Sequence, residues 1–394
     1  MRIALLIDEF FGEAGTAFGG YGFLAKNVIC KYLATKDCKI DVLIQQGLNA
    51  KYKNRINKFL IKYFPKKIKY DENVNLYFLP TRKSACYNFF KKKNYDFYFS
   101  IELTNPSAEI LKFEPDKSKK LLLWIQDPRP KSVWDNVINT MQVVKEPNFF
   151  SQETADMVKK FNDEGRLRLI SQGYSLNPLA LEYYGLPEDV KIDYVPNPIK
   201  IDFDFDLSKQ EKKNSIIFLG RLETQKRAWL FCEVAKRMPQ YEFNVMGKFF
   251  RNVDINKKML EPYMDGSIKN LHFLGHLENE EKAKVIREAK ILLNTSIWEG
   301  IPISWLEVLE KGTLIVSNLN NEDLPRKFGI CTGDNLGDGF DNIDKYCDAI
   351  AKLIENDELR NKLANEAIQY IRERHSVDRF KRDITRAFNE VNNA

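Results

Sequence analysis

The chain has 394 residues, 44% of them apolar and 12% aromatic, with 61 basic side chains against 55 acidic and a formal net charge of +6. That length exceeds one ordinary hydrophobic core and predicts two domains, while the apolar content excludes a disordered chain. No run approaches the roughly eighteen apolar residues of a membrane span, and six scattered cysteines without C-x-x-C pairs, with three histidines in no ligand-spaced cluster, predict reduced thiols and no structural zinc.

Met1 leads into the strand pattern RIALLI, not into a charged-then-apolar leader, so a cytosolic protein is expected. A glycine-rich loop opening a helix follows, FGEAGTAFGGYGFLAKNVICKYLA over 11–34. Its Gly20-Tyr21-Gly22-Phe23-Leu24-Ala25 matches G-x-G-x-x-A by accident. A dinucleotide fingerprint needs its first glycine directly after the strand, and a later acid where Gln45 and Gln46 stand. The loop is either a place where backbone N–H groups approach a phosphate or sugar, or an ordinary surface turn.

After a strand over 40–45 comes KYKNRINKFLIKYFPKKIKY (51–70), with eight basic residues, no acid, and Tyr52, Ile56, Phe59, Leu60 and Tyr63 at helical spacing. A basic amphipathic helix suits an anionic membrane surface, or else packs its apolar stripe on the core. NFFKKKN (88–94) adds charge to the same half: residues 1–199 hold 30 Lys/Arg against 23 Asp/Glu, residues 200–394 hold 31 against 32. No nucleic-acid motif accompanies this charge, so nucleic acid is not an expected partner.

Further strands are predicted over 76–80, 97–101, 121–126, 167–171 and 192–195, alternating with helical or polar segments. Such alternation predicts a parallel sheet covered on both faces. Asp127 and Arg129 follow the 121–126 strand, either touching substrate or pairing to shape a Pro-rich turn. The segment 195–215 has two prolines and dense charge and reads as a linker; its Asp202, Asp204 and Asp206 contain D-x-D without further ligands for a divalent metal.

The alternation resumes with strands over 215–220, 241–247, 271–275, 291–296 and 313–318. The first runs into GRLETQKR (220–227), which places Arg221 and Lys226 at the carboxyl edge of a sheet, where such folds bind ligands and two cations can neutralise a diphosphate. His272 and His276 flank a strand end and suit structural roles. In NTSIWEGIPISWLEVLEKGTLIVSN, Pro302 begins a helix that Gly312 stops. Glu299 then lies in the strand-to-helix loop and Glu307 about two turns on. The N–H groups of Ile301, Ile303 and Ser304 carry the positive end of that helix. An anion flanked by hydroxyl-binding carboxylates describes a nucleotide sugar.

The set GGYG, VPNP, GRLETQKR, VMGK, LHFLGH and EGIPISWLEVLEKGTLIVS, in this order, resembles the retaining glycosyltransferases of family 4 (glycosyl transferase group 1). The resemblance is close over 215–320 and general before that. It implies a GT-B fold of class α/β, two Rossmann-like doubly wound domains facing each other across a cleft, with domains over 1–199 and 215–375, a linker over 200–214, and a last helix over 376–394 packing back on the first domain. It also implies the donor site: Arg221 and Lys226 on the diphosphate after Gly220; Glu299 on the donor sugar, with Gly300, Ile301, Pro302 and Ile303 offering backbone contacts; Glu307 on the ribose. Gly19 and Gly20 would meet the phosphates and Gly247 and Lys248 the base. Where many relatives have His-Asp this chain has Gln126-Asp127, which leaves open whether Asp127 joins catalysis.

The implied reaction moves a hexose from a nucleoside diphosphate sugar to a hydroxyl of a glycan or lipid-linked glycan, with retention, no cofactor and no metal, by a front-face route in which the leaving phosphate accepts the proton. Two other classes share the architecture, a sugar-nucleotide epimerase or hydrolase and a non-catalytic glycan-binding homologue. The first lacks identifiable acid-base residues, and the retained Arg221, Lys226, Glu299 and Glu307 speak against the second.

Overall fold

The structure, a computed structural model, describes residues 1–16, 19–45, 60, 62–141, 148–250, 253–333 and 336–393. The chain forms two compact units. One comprises Met1–Pro130, Phe150–Pro198 and Val377–Ala394, the other Lys131–Phe149 and Ile199–Ser376.

The first unit holds eight strands: β1 (Arg2–Leu6), β2 (Lys39–Gln45), β3 (Lys66–Lys69), β4 (Val74–Leu79), β5 (Phe97–Ile101), β6 (Leu121–Ile125), β7 (Leu167–Ser171) and β8 (Ile192–Tyr194). Their order is β3-β4-β2-β1-β5-β6-β7-β8, parallel except for the β3–β4 pair. β5 and β6 are buried throughout, as strands covered on both faces must be. One cover is the Val377–Asn393 helix, whose Phe380, Ile384, Ala387, Phe388 and Val391 form a buried stripe at helical spacing. Phe388 meets Phe97 and Phe99 edge-on, with ring centres 5.3 and 5.4 Å away, and Phe380 stacks on Trp124 at 5.4 Å.

The second unit holds β9 (Lys213–Leu219), β10 (Glu242–Met246), β11 (Leu271–Gly275), β12 (Ala289–Asn294), β13 (Leu314–Ser317) and β14 (Gly329–Cys331). They are all parallel, in the order β11-β10-β9-β12-β13-β14. This is the doubly wound order that reverses beside its first strand, leaving a crevice outside the carboxyl ends of β9 and β12.

Four features depart from the sequence expectations. Residues 131–149 belong to the second unit, because Trp134, Val137 and Met141 enter its core beside Trp229 and Leu230; helical periodicity marks an apolar face but not the core that receives it. The expected linker 200–214 is packed structure. Phe205 is buried, Lys311 pairs with Asp202 at 2.8 Å, and the Lys212 ammonium donates to the carbonyls of Ala289 and Lys311 and to the Thr313 hydroxyl at 2.8–2.9 Å. Asp206 accepts from Ser208, so Asp202 and Asp206 sit in separate local pairs.

The basic helix expected over 51–70 falls largely outside the described residues, and its last part is the strand β3, paired in register Lys66↔Phe78 after Pro65. Ladder pairing with β4 overrides the helical spacing there. β14, too short to read from sequence, lies so close to β13 that a Cβ on Gly329 would fall 1.8 Å from the Ile315 carbonyl oxygen. No helix among the described residues is long and apolar enough to cross a membrane.

Candidate active site

Two loops of the second unit meet at its strand-order reversal. The first follows β9. Gly220 donates its amide to the Met246 carbonyl (3.1 Å) and Gly247 donates to Gly275 (2.8 Å). A Cβ on Gly247 would lie 1.9 Å from the Gly220 oxygen, so only glycine lets the β9 and β10 ends approach this closely. Lys248 accepts the Leu222 amide through its carbonyl at 2.9 Å. Beyond this crossing the Arg221 guanidinium pairs with Glu223 at 2.8 Å and lies 4.6 Å over the Phe250 ring, about a third exposed. Lys226 ends a short 3-10 turn, Thr224–Lys226.

The second loop follows β12. Glu299 accepts from the Lys226 ammonium and, at 2.6 Å, from the Ser296 hydroxyl, with its side chain 10% exposed. Asn321 steadies the turn by donating to the Glu299 carbonyl at 2.6 Å and to that of Gly300. Ile301 is buried, Pro302 caps the helix in extended conformation, and the helix proper runs Ile303–Glu310 before Gly312 turns left-handed at φ +66°. Pro302 therefore precedes the first helical residue by one position. Glu307 lies on the helix and takes both of its oxygens to Lys282, at 2.8 and 2.7 Å.

The structure thus joins Lys226 to Glu299 and gives Glu307 a different cation. Lys282 is invisible to sequence reasoning, since it is one of several charged residues on a solvated helix. Ser296 and Asn321 could be suspected only as small polar residues at strand ends. The set of fixed cations, a carboxylate and a helix start can hold an anion and accept hydroxyl protons beside it.

The remaining site candidates, Gly19, Gly20 and Asp127, lie in the first unit. Gly19 and Gly20 begin the helix after the glycine-rich loop. A Cβ on Gly19 would collide with the Glu9 carboxylate, 1.8 Å away, and Gly22 donates its amide to that carboxylate at 3.1 Å. Asp127 pairs with Arg129, while the amides of Gln126 and Asp127 donate to the buried Glu102 at 2.9 and 2.8 Å. Burial pushes the Glu102 carboxyl up, and burial together with Asp127, Glu102 and Glu9 pushes the Tyr21 phenol well up. His272 and His276 engage Glu242 (2.7 Å) and Glu278 (3.0 Å).

Comparison with known proteins bears on this geometry. Residues 200–370 match the family described as glycosyl transferases group 1. Among curated proteins, the chain is 26% identical to the UDP-Gal:alpha-D-GlcNAc-diphosphoundecaprenol alpha-1,3-galactosyltransferase of Escherichia coli, over 45% of this chain and 51% of that protein. It is 23% identical to an uncharacterised glycosyltransferase of Methanocaldococcus jannaschii, over 58% and 55%. The chain thus spans about half the length of these curated relatives. Among solved structures, sucrose-phosphate synthase from Thermosynechococcus elongatus superposes with a TM-score of 0.72 at 11% identity, covering 99% of this chain and 98% of that one. Anabaena Alr3699/HepE in complex with UDP gives 0.67 at 14%, covering 99% and 100%. The chain has the GT-B fold, and its residues 200–370 match the glycosyl transferases group 1 family.

Proposed function

We propose that the protein is a retaining glycosyltransferase of family 4 that moves a hexose from a nucleoside diphosphate sugar to a hydroxyl of a glycan or lipid-linked glycan, without a metal. The observation that carries this reading is the Lys226–Glu299 pair, with Arg221, in the crevice at the β9/β12 reversal. As the bond to phosphate breaks, negative charge grows on the diphosphate and positive charge on the sugar. Lys226, Arg221 and the start of the Ile303–Glu310 helix stabilise the first, and preorganised charge of this kind is usually the largest catalytic contribution. Lys226 leaves Glu299 for the phosphate, which releases the carboxylate to sugar hydroxyls. Glu307 holds the ribose, Gly247 and Lys248 the base through backbone atoms, and Gly19 and Gly20 a phosphate. Asp127 is assigned to the reacting sugar, and the leaving phosphate accepts the proton of the incoming hydroxyl. The relative named for a diphosphoundecaprenol acceptor supports a lipid-linked one here.

An anionic membrane is the proposed surface for such an acceptor. Of the expected 51–70 segment, the described part presents exposed Leu60 and Phe64 beside the exposed Lys66, Lys67 and Lys69 of β3. Amphipathic basic surfaces of this composition suit anionic headgroups.

The deciding experiment incubates the protein with a panel of nucleotide sugars, with and without a chelator, and follows nucleoside diphosphate release. Release from one donor, insensitive to chelation, is expected. Anomeric coupling constants of the product then report retention or inversion. Silence across the panel would overturn the transferase reading.

A further inference from the structure

Arg227 has no exposed surface, yet its backbone is left-handed at φ +47°, a region unfavourable for any residue with a Cβ. Its guanidinium reaches across to the β12 loop. Nε donates to the Thr295 carbonyl at 2.8 Å, Nη2 reaches Ser296 at 3.4 Å, and Nη1 donates to Gly337 at 2.9 Å in a third loop of the same unit. The β12 loop answers in kind. The Thr295 hydroxyl lies 2.8 and 3.1 Å from the carbonyls of Lys226 and Arg227, and the Ile297 amide donates to Gln225 at 2.9 Å. Gln225 in turn donates its side-chain amide to the Trp298 carbonyl at 2.8 Å.

These bonds link the two loops that carry Lys226 and Glu299. Lys226 immediately precedes Arg227, and Glu299 accepts from the hydroxyl of Ser296, whose carbonyl faces Arg227. Burial pulls the guanidinium down to about 10, which leaves it charged at neutral pH. A planar fork with five donors satisfies several carbonyls at once in a way that an ammonium group does not.

We propose that Arg227 is the positioning residue of this site, a buried guanidinium that clamps the 220–227 loop to the 295–302 loop so that Lys226 and Glu299 face one ligand. The inference rests on the reading that these two side chains bind the donor. Its first test does not, because it is made on ligand-free protein.

Arg227→Lys keeps the charge and loses the fork, and Thr295→Val keeps the volume and loses the hydroxyl. Hydrogen exchange at the Ile297 amide reports the clamp directly. Losing a hydrogen bond across the loops should speed exchange at Ile297 about tenfold in each variant, with amides of β10 and the Ile343–Glu355 helix unchanged. Unchanged exchange at Ile297, or uniform acceleration across the unit, would overturn the clamp. Thr295→Val decides the matter should Arg227→Lys fail to fold. With the donor identified by the panel, both variants should lose up to about a hundredfold in kcat, the scale of a small misplacement of reacting groups. A wild type silent across the panel would refute the transferase reading, while the exchange rates at Ile297 would still decide for or against the clamp.

Discussion

The two units share a parallel arrangement whose strand order reverses beside the first strand, between β1 and β5 in one and between β9 and β12 in the other. The loops at these two places carry different charge. After β1, β5 and β6 of the first unit stand Asp8, Glu9, Glu102 and Asp127, the last paired with Arg129; the loops of the second carry Arg221 and Lys226, paired with Glu223 and Glu299. Burial pushes the carboxyls of Asp8 and Glu102 up. The second edge suits an anion. Sheet topology sets where ligands bind, and loop residues set which ligands.

The largest expected effect tests the cationic edge. Lys226→Ala should raise the barrier by about 2.7–4 kcal/mol, a fall of two to three orders of magnitude in kcat/KM for the donor. Near-normal turnover would erase the contrast between the edges.

A second comparison concerns outer surfaces. Changing Lys66, Lys67 and Lys69 to Glu should weaken flotation with anionic liposomes by more than a hundredfold, at about 1 kcal/mol for each lysine lost and further repulsion from each carboxylate gained. The same changes at the exposed Lys257, Lys258 and Lys269 of the second unit should leave it unaltered. Equal responses would dismiss a membrane-facing side.

Within the second unit, Glu307→Gln should raise the donor KM about tenfold while kcat changes less, as loss of a ribose contact made equally in ground and transition states requires. A kcat effect with an unchanged KM would move Glu307 from binding to chemistry.

The smallest effect tests the acidic edge. Burial raises the folded-state pKa of Glu102, so the folded protein holds this proton to higher pH than the unfolded chain does. The resulting contribution to stability is present at acid pH and declines as pH rises through the folded value. Glu102→Gln removes that decline. Thermal melting of the variant should therefore gain on the wild type from acid to neutral pH, and a constant difference would show that the folded-state pKa of Glu102 is not raised.

Much of this molecule is legible in one dimension. Alternating strands and helices follow from local apolar periodicity, and the expected strands need only small shifts of their ends. Arg221, Lys226, Glu299 and Glu307 stand out because strand-to-helix loops bring charge to a carboxyl edge, and Gly312 announces the end of a helix by the backbone angle it permits. Three features needed the tertiary structure: the destination of 131–149, the pairing of Lys282 with Glu307 across 25 residues, and the clamp from Arg227 to Thr295 across 68. The reason is physical. Periodicity and charge are properties of neighbouring residues, whereas partners brought together by long loops leave no local pattern, and a buried arginine in sequence looks like any solvated one.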